Sequence, residues 1–401
     1  MYINFWYPII RSEDLGAGKP EKSMVLGLNF VAFRDSQGKA HVLSDTCTHR
    51  GASLGGAWEL GDKPRIIDDC IVCPYHGWEF GPDGECRNIP SIGYGKKVPP
   101  RAKIDSYPVQ EKYGIVFAFL GDLPERDRPP LLNVEEYDTE GWRANSILVL
   151  DVDYYYERSI ENGLDPAHNE FVHPTHGLKA VNRDTYHVRE YDVLDHPQGW
   201  GMWFVHRFNA PGLTDPTWKS VDTSSRAPGE LFAGSGTHGP NMMVTEINVG
   251  SGNRFRQYFF EQPVDQRRTR IFFLNMRNFM LGAEHDGPIH ARNKVIAKQD
   301  IEILVDVYPP RTPTSNIREV LTPSDKAVVS YREWLAKFDE RGWRIDWDEF
   351  SQRNGKDTGF AIPGPARRIS GNWVLKPVPL HTGGRPAAGR NHRRQKRGYR
   401  T

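Results

Sequence analysis

Two short loops, Cys47-Thr-His49 and Cys73-Pro-Tyr-His76, constrain this chain more than any other feature of its sequence. Each offers one thiolate and one imidazole, ligands suited to soft and borderline metals. A zinc finger ordinarily supplies its cysteines as one pair and its histidines as another. Here the order alternates, Cys-His-Cys-His. That order suits a [2Fe–2S] cluster in which one iron takes both sulfurs and the other both imidazoles, each loop giving one ligand to each iron. The chain has four cysteines in 401 residues, all between positions 47 and 86. Such clustering indicates a local metal site and not a disulfide scaffold. Cys70-Ile-Val-Cys73 also spells C-x-x-C, but Cys73 already belongs with His76. Cys70 is therefore read as a buried strand residue and Cys86 as structural.

A second constellation follows at Asn162-Gly-Leu-Asp165-Pro-Ala-His168-Asn-Glu-Phe-Val-His173. Two imidazoles joined by one carboxylate make a facial triad for Fe(II), with further coordination positions open. His168 and His173 are five apart, so a regular helix does not bring them to one face. The helix is expected to loosen or end between them, and Pro174 fits such an ending. His176 is read as a neighbouring or solvent-facing group and not as a ligand.

The surrounding chain suggests how these segments are carried. Residues 1–125 read as β-rich, with strand-like runs at Met24–Phe33 and Gly114–Leu120 and hairpin connections at Asp35–Gly38 and Gly81–Gly84. The Pro-rich, charged stretch Leu123–Pro130 marks a boundary. Tyr154–Asn162 reads as a helix with Gly163 at its C′ position, and Asp165-Pro166 as an N-cap with proline at N1. Strand-like runs cover Trp200–Phe208, Met243–Val249, Phe255–Glu261 and Arg270–Met276. Helices are expected over about 286–307 and 324–340. Strands bracketed by helices indicate an α+β domain with an antiparallel sheet.

The flanking residues carry a family resemblance. Cys47-Thr-His49-Arg-Gly51 and Cys73-Pro-Tyr-His76-Gly-Trp78 are similar to the C-x-H-R-G and C-P-Y-H-G-W motifs of Rieske non-haem iron oxygenases. The Asn162–His173 segment resembles the N-x-x-D-x-x-H-x(4)-H motif of their catalytic domain. Phe5-Trp6-Tyr7-Pro8 and Gln262–Thr269 are similar to family patterns too. The resemblance implies a mononuclear iron held by His168, His173 and a carboxylate from a late helix. In Lys298-Gln-Asp300-Ile-Glu302-Ile-Leu it carries that role onto Asp300, with Glu302 and Asp306 as competitors. It gives Asp165 a linking role, joining His168 to His76 of the next protomer, while the plain reading leaves Asp165 as an N-cap. Both roles are compatible with a carboxylate's acceptor capacity.

Departures from related patterns also inform. Respiratory Rieske proteins staple their cluster loops with a disulfide. The matching positions here are Ala52 and Tyr75, and Trp78 stands where those proteins present a hydroxyl. Fewer hydrogen bonds to cluster sulfur favour a lower potential. Twenty-three residues (50–72) separate His49 from Cys73, longer than the family's usual spacing, and Gly61–Asp69 is expected to form an extended hairpin.

The resemblance implies an all-β Rieske [2Fe–2S] domain over 1–125, a linker over 126–139, and a helix-grip (START/Bet v1-like) catalytic domain over 140–360. A Pro/Gly/Arg-rich tail over 361–401 completes the chain. It implies the oxygenase component of the phthalate, vanillate and pheophorbide branch, working as a head-to-tail homotrimer. It also implies O₂ and an apolar, aromatic or polycyclic substrate, to be monooxygenated, demethylated or dihydroxylated. No G-x-G-x-x-G follows a strand, so no nicotinamide or flavin domain is apparent; the resemblance implies electrons from NAD(P)H through a separate reductase, a ferredoxin, or both. The competing reading is a Rieske electron carrier or redox sensor without oxygenase activity.

The nearly balanced charge, net +1, gives no reason to expect nucleic acid or anionic membrane partners. No long apolar run and no signal-like N-terminus are apparent, so a cytoplasmic location is expected. Trp200, Trp203, Phe204, Phe208, Phe232, Met242, Met243, Phe259 and Phe260 are candidates for a substrate pocket, most of them expected in the core. The basic run Arg385–Arg400 is read as a solvated tail, with docking of an acidic ferredoxin as the alternative.

Overall fold

The computed structural model describes residues 1–56, 64–173, 184–209 and 230–381. The N-terminal part is built from short antiparallel strands. In chain order these are β1 (Phe5–Arg11), β2 (Glu21–Val25), β3 (Leu28–Arg34), β4 (Ala40–Ser44), β5 (Ile66–Ile67), β6 (Cys70–Val72), β7 (Glu79–Phe80), β8 (Cys86–Asn88), β9 (Ser106–Tyr107), β10 (Val109–Lys112) and β11 (Ile115–Leu120). They pair in the orders β1-β11-β10, β2-β3-β4-β9 and β5-β6-β7-β8. β11 is buried along its whole length, which explains its unbroken apolar sequence Ile-Val-Phe-Ala-Phe-Leu.

The run Met24–Phe33, expected as one strand, is instead a hairpin between β2 and β3. It turns at Leu26 and Gly27, with φ of 54° and 76°, the two-residue geometry that matches strand twist. The apolar sequence conceals this turn because its tip is buried. Leu26 and Gly27 donate their N–H groups to Pro263 and Val264 at 2.7 and 2.8 Å. A Cβ on Gly27 would stand 2.5 Å from the Trp347 ring. The β5–β6 hairpin closes at Asp68-Asp69. Residues 61–63 of the expected Gly61–Asp69 feature lie outside the described residues, as do Pro174, His176 and Arg385–Arg400.

The C-terminal part contains β12 (Arg143–Ala144), β13 (Leu148–Val152), α1 (Tyr156–Gly163), α2 (Asn169–Val172), β14 (Val193–Asp195), β15 (Met202–Asn209), β16 (Glu230–His238), β17 (Met242–Gly250), β18 (Asn253–Pro263), β19 (Thr269–Arg277), α3 (Asp286–Leu304), α4 (Lys326–Glu340) and α5 (Trp347–Arg353). The sheet is antiparallel in the order β12-β19-β18-β17-β16-β15-β14, with β13 also on β19. An all-β domain followed by an antiparallel sheet with helices is the α+β class that the sequence implies.

Strand alternation gives this sheet two different faces. Thr245, Ile247, Gln257, Phe259, Ile271 and Phe273 turn towards α1 and α3, around a cavity. Val244, Tyr258, Phe260, Phe272 and Leu274 turn the other way, into a core shared with Trp6, Phe117 and Phe119 of the N-terminal strands. Each fully buried phenylalanine there contributes roughly 1.5–3 kcal/mol. Leu131, Leu132 and Val134, from the segment read as linker, are buried in the same core. Residues 361–381, read as the start of the tail, fold back on the N-terminal strands. Arg367 pairs with Asp105 at 2.6 and 2.7 Å, and Tyr107 donates its hydroxyl to Ile362 O at 2.7 Å. Among the described residues no helix is long and apolar enough to cross a membrane.

Candidate metal centres and the adjoining cavity

The two Cys/His loops repeat one backbone design. Cys47 N–H donates to Ala52 O at 2.8 Å and Gly51 N–H to Cys47 O at 2.9 Å; Cys73 N–H donates to Trp78 O at 2.8 Å and Gly77 N–H to Cys73 O at 3.0 Å. Gly51 and Gly77 close these turns at φ of 77° and 72°, where a side chain would be strained. The cysteines are 2% and 1% exposed, whereas His49 is exposed and His76 half-buried. The two imidazoles face each other through Nδ1 at 3.1 Å. Trp78 stacks flat on His49, with centroids 4.6 Å apart, and Tyr75 stands 58% exposed beside His76.

The thiols divide into two kinds. A hydrogen bond with Cys47 pushes the Cys73 thiol down to about 6 and the Cys47 thiol up. Burial pushes Cys70 up to about 11 and Cys86 up to about 12, so both remain protonated core residues. All four cysteines are free. No three ligand atoms of Cys47, His49, Cys73 and His76 lie within 4.8 Å of one another. A single tetrahedral zinc, at roughly 2.0–2.3 Å from each ligand, would draw all four atoms closer than that. Sulfurs inside and imidazoles outside is the layout that a two-iron cluster with split ligation requires.

The second centre joins three helices. α2 is one short turn, with His168 immediately before it and His173 immediately after. His173 is extended (φ −108°, ψ 90°), so the helix ends before this residue. Asp300 projects from α3. Its Oδ1 lies 3.9 Å from His168 Nε2 and 3.3 Å from His173 Nε2. Among the described residues, this is the one group of three or more His, Cys, Asp or Glu whose ligand atoms lie within 4.8 Å of each other.

The histidines are oriented from behind. His168 Nδ1 lies 2.5 Å from Asp165 O and His173 Nδ1 lies 2.9 Å from Gln299 Oε1. Both rings thus give their Nδ1–H away and turn Nε2 towards the centre. Asn162 Nδ2 donates to Asp300 Oδ1 at 3.1 Å. Burial alone would raise the Asp300 carboxyl, but His173, His168 and Asn162 outweigh it and hold the carboxyl below its usual value. Burial pushes His168 down. Burial also opposes charge on His173, but Asp300 prevails and moves it up. The competitors for the third ligand point away: Glu302 pairs with Lys298 at 3.5 Å, 63% exposed, and Asp306 is exposed.

Two local expectations are corrected here. The His168 ring meets Asp165 at its main-chain oxygen, and Asp165 Oδ1 accepts from Ala167 N–H at 2.7 Å. This is a local turn, and the helix begins only at Asn169. Gly163 lies inside α1, and its φ is not positive. The helix approaches Met243 closely here, so a Cβ would stand 1.8 Å from Met243 Sδ and the methionine would have to shift. Asn162 and Gln299 were given no role by sequence reasoning. Asn162 at least lies within the motif, whereas nothing marks Gln299.

A cavity of about 150 Å³ opens beside this centre, between α1, α3 and the sheet. Of the aromatic and methionine candidates, Met243 and Phe259 line it. Phe204, Met242 and Phe260 are core residues, with Trp200 and Trp203 packed against the core. The side chains of Phe208 and Phe232 lie outside the described residues. Glu261 stands on the same face of β18 as Gln257 and Phe259, fully buried, and Ser159 on the cavity wall donates to its Oε1 at 2.6 Å.

Comparison with known proteins agrees with this architecture. Residues 5–108 match the Rieske [2Fe–2S] domain, and residues 152–341 match the vanillate O-demethylase oxygenase C-terminal domain. The chain is 25% identical over 348 residues to the chloroplastic chlorophyllide a oxygenase of Chlamydomonas reinhardtii, covering 82% of this chain and 47% of that protein. It is 34% identical over 200 residues to a cholesterol 7-desaturase of Xenopus laevis, covering 49% of this chain and 41% of the relative. The chain thus spans less than half the length of these two relatives. Pseudomonas putida CBB5 NdmA, solved with caffeine, superposes with a TM-score of 0.65 at 21% identity, covering 83% of this chain and 90% of that one. With a cluster-binding domain and an oxygenase C-terminal domain joined in one polypeptide, the chain belongs to the Rieske non-haem iron oxygenases.

Proposed function

We propose that the chain is the oxygenase component of a system supplied with single electrons by a separate NAD(P)H-dependent reductase, directly or through a ferredoxin. Cys47, His49, Cys73 and His76 hold a [2Fe–2S] cluster, and His168, His173 and Asp300 hold a mononuclear Fe(II). When bound, these groups supply one-electron transfer and dioxygen chemistry, which side chains alone do not provide. The observation that carries the reading is a 2-His-1-carboxylate triad on the wall of a mainly apolar cavity.

The chain's own residues prepare that centre. Asp165 O and Gln299 fix the imidazole tautomers, and Asn162 aims the carboxylate. Phe259, Ile271, Phe273 and Leu304 exclude water from the space beside it. The substrate is a small apolar molecule, aromatic or polycyclic, hydroxylated by monooxygenation, demethylation or dihydroxylation. In a head-to-tail homotrimer, the cluster edge of one protomer meets Asp165 of the next. The surface position of His49 and the exposure of Tyr75 support that arrangement. With its main-chain oxygen committed to His168, Asp165 retains carboxylate capacity for His76 of the partner subunit. The reading places the chain in the cytoplasm.

Iron analysis, the visible spectrum and a substrate screen of O₂ uptake with a surrogate reductase and NADH test the proposal. The expected result is a coloured iron protein whose products gain one or two oxygens. His168→Ala should abolish uptake and leave the visible spectrum intact. A colourless, zinc-loaded protein refutes the cluster assignment, and collapse of the spectrum in His168→Ala refutes the separation of the two centres.

A further inference from the structure

A chain of amides leads from a buried arginine to the cavity wall, which it reaches at Gln257 and Asn293. Arg277 is 0% exposed and has only N–H groups to give. Its Nη1 donates to Asn145 Oδ1 at 2.6 Å, and Asn145 Nδ2 donates to Asp286 O at 3.2 Å, so both ends of that amide are fixed. Asn275 Nδ2 donates to the same Asn145 Oδ1 at 3.2 Å. Asn275 Oδ1 therefore accepts from Gln257 Nε2 at 3.2 Å, and Gln257 Nε2 also donates to Asn293 Oδ1 at 3.5 Å.

The oxygen and nitrogen of a lone amide are interchangeable by a flip. Here the arginine removes that freedom, because reversing any member sets donor against donor or acceptor against acceptor. The atom left at the end is Asn293 Nδ2, a donor. It has no hydrogen-bond partner among the described residues, although Asn293 is only 6% exposed. Buried donors without acceptors are costly and rare. Asn293 and Gln257 both line the cavity. Asn293 and Asp300, seven positions apart on α3, lie two turns and about 10 Å apart on one helix face. Phe259 and Phe273 supply apolar wall.

We propose that Asn293 is a specificity residue that donates a hydrogen bond to an acceptor oxygen at the remote end of an otherwise apolar substrate. The acceptor is a carbonyl, ether or carboxylate oxygen. The proposal deepens the oxygenase reading and rests on it only for which end of the molecule reacts.

Binding is measured by calorimetry on the full chain with iron and cluster in place and no reductase. The probes are 2-acetylnaphthalene, 2-ethylnaphthalene and 2-naphthoate. The protein should bind the ketone about tenfold tighter than the ethyl compound. Asn293→Leu should erase that preference. Asn293→Asp, which keeps the acceptor towards Gln257 but replaces the donor, should erase or reverse it. An unchanged thermal unfolding midpoint verifies each variant's fold. A naphthoate preference lost in Asn293→Leu extends the assignment to anionic acceptors. One that survives Asn293→Leu and disappears in Arg292→Leu overturns it, as does equal binding of ketone and ethyl compound, or binding of none of the three. Absent O₂ uptake with the ketone preference intact counts against the oxygenase reading alone.

Discussion

Replacing Glu261 with glutamine should change how stability depends on pH, by an amount set by burial. Glu261 is 0% exposed, and its carboxylate has one hydrogen bond among the described residues, from Ser159 at 2.6 Å. Oε2 has no partner among those residues. With desolvation opposed only by Ser159, burial pushes the carboxyl from 4.5 up to about 8. The unfolded chain releases this proton near 4.5 and the folded chain near 8. Below 4.5 both states are protonated and the group leaves stability independent of pH. Between 4.5 and 8 the folded state keeps a proton that the unfolded state has released, so stability falls as pH rises and levels off above 8.

At about 1.4 kcal/mol per pH unit, that window amounts to roughly 5 kcal/mol. Glutamine cannot ionise, yet it still offers Ser159 an acceptor. The variant and the parent should therefore unfold alike near pH 4.5 and diverge towards pH 8, the variant being the more stable. For an unfolding unit of 150–250 residues, this corresponds to a midpoint difference on the order of 10 °C. Thermal unfolding of both proteins at half-unit intervals from pH 4.5 to 9, followed by circular dichroism, gives the comparison. Parallel curves with a constant offset would refute the reasoning, because they would mean that Glu261 ionises in the folded state as readily as in water.

Three further outcomes follow from the packing. Cys70→Ala should leave the visible spectrum unchanged, while Cys73→Ser should abolish it, as absorption of the two purified variants will show. Arg367→Leu strands the buried Asp105 carboxylate and should cost roughly 3–5 kcal/mol, read as a lower urea midpoint. Gly163→Ala forces a methyl group against Met243 and should cost roughly 1–3 kcal/mol. In a Met243→Ala background the same glycine substitution should cost less than in the parent, and an undiminished cost would locate the strain elsewhere.

The metal loops were legible because coordination chemistry restricts residue type and spacing within a few positions, and no distant partner is needed to read Cys47-Thr-His49. Asp300 was legible only through resemblance. The helix offers Glu302 and Asp306 as well, and what separates the three is which face meets α1 and α2. Gln299 was illegible because its bond to His173 spans 126 positions, and glutamine has no property that marks such a partner. Leu26-Gly27 was misread for a different reason. A turn tip is normally polar, but this one is buried against Pro263, Val264 and Trp347, so tertiary packing supplied the apolar residues that sequence patterning attributes to a strand. The same holds for Leu131, Leu132 and Val134, whose charged and Pro-rich surroundings conceal three core residues.

α3 explains how the Asp300 carboxylate and the Asn293 amide hold a constant separation. Its first residue, Asp286, is bound by Arg277 at 2.6 Å and by Arg143 at 2.9 Å, and the acid also suits the helix N-terminus. Two turns of hydrogen-bonded backbone then connect Asn293 to Asp300, which Asn162 ties to α1. Neither end can move along the cavity without breaking one of these ties. The distance between the Asp300 carboxylate and the remote donor is therefore a property of helix rise, about 1.5 Å per residue, and is insensitive to the loops around it. The width of the space between them is not fixed in that way. Ala297 lies on the same face, between Asn293 and Asp300, and lines the cavity. Enlarging that one side chain, as in Ala297→Leu, should therefore narrow the cavity while leaving Asn293 and the triad in place.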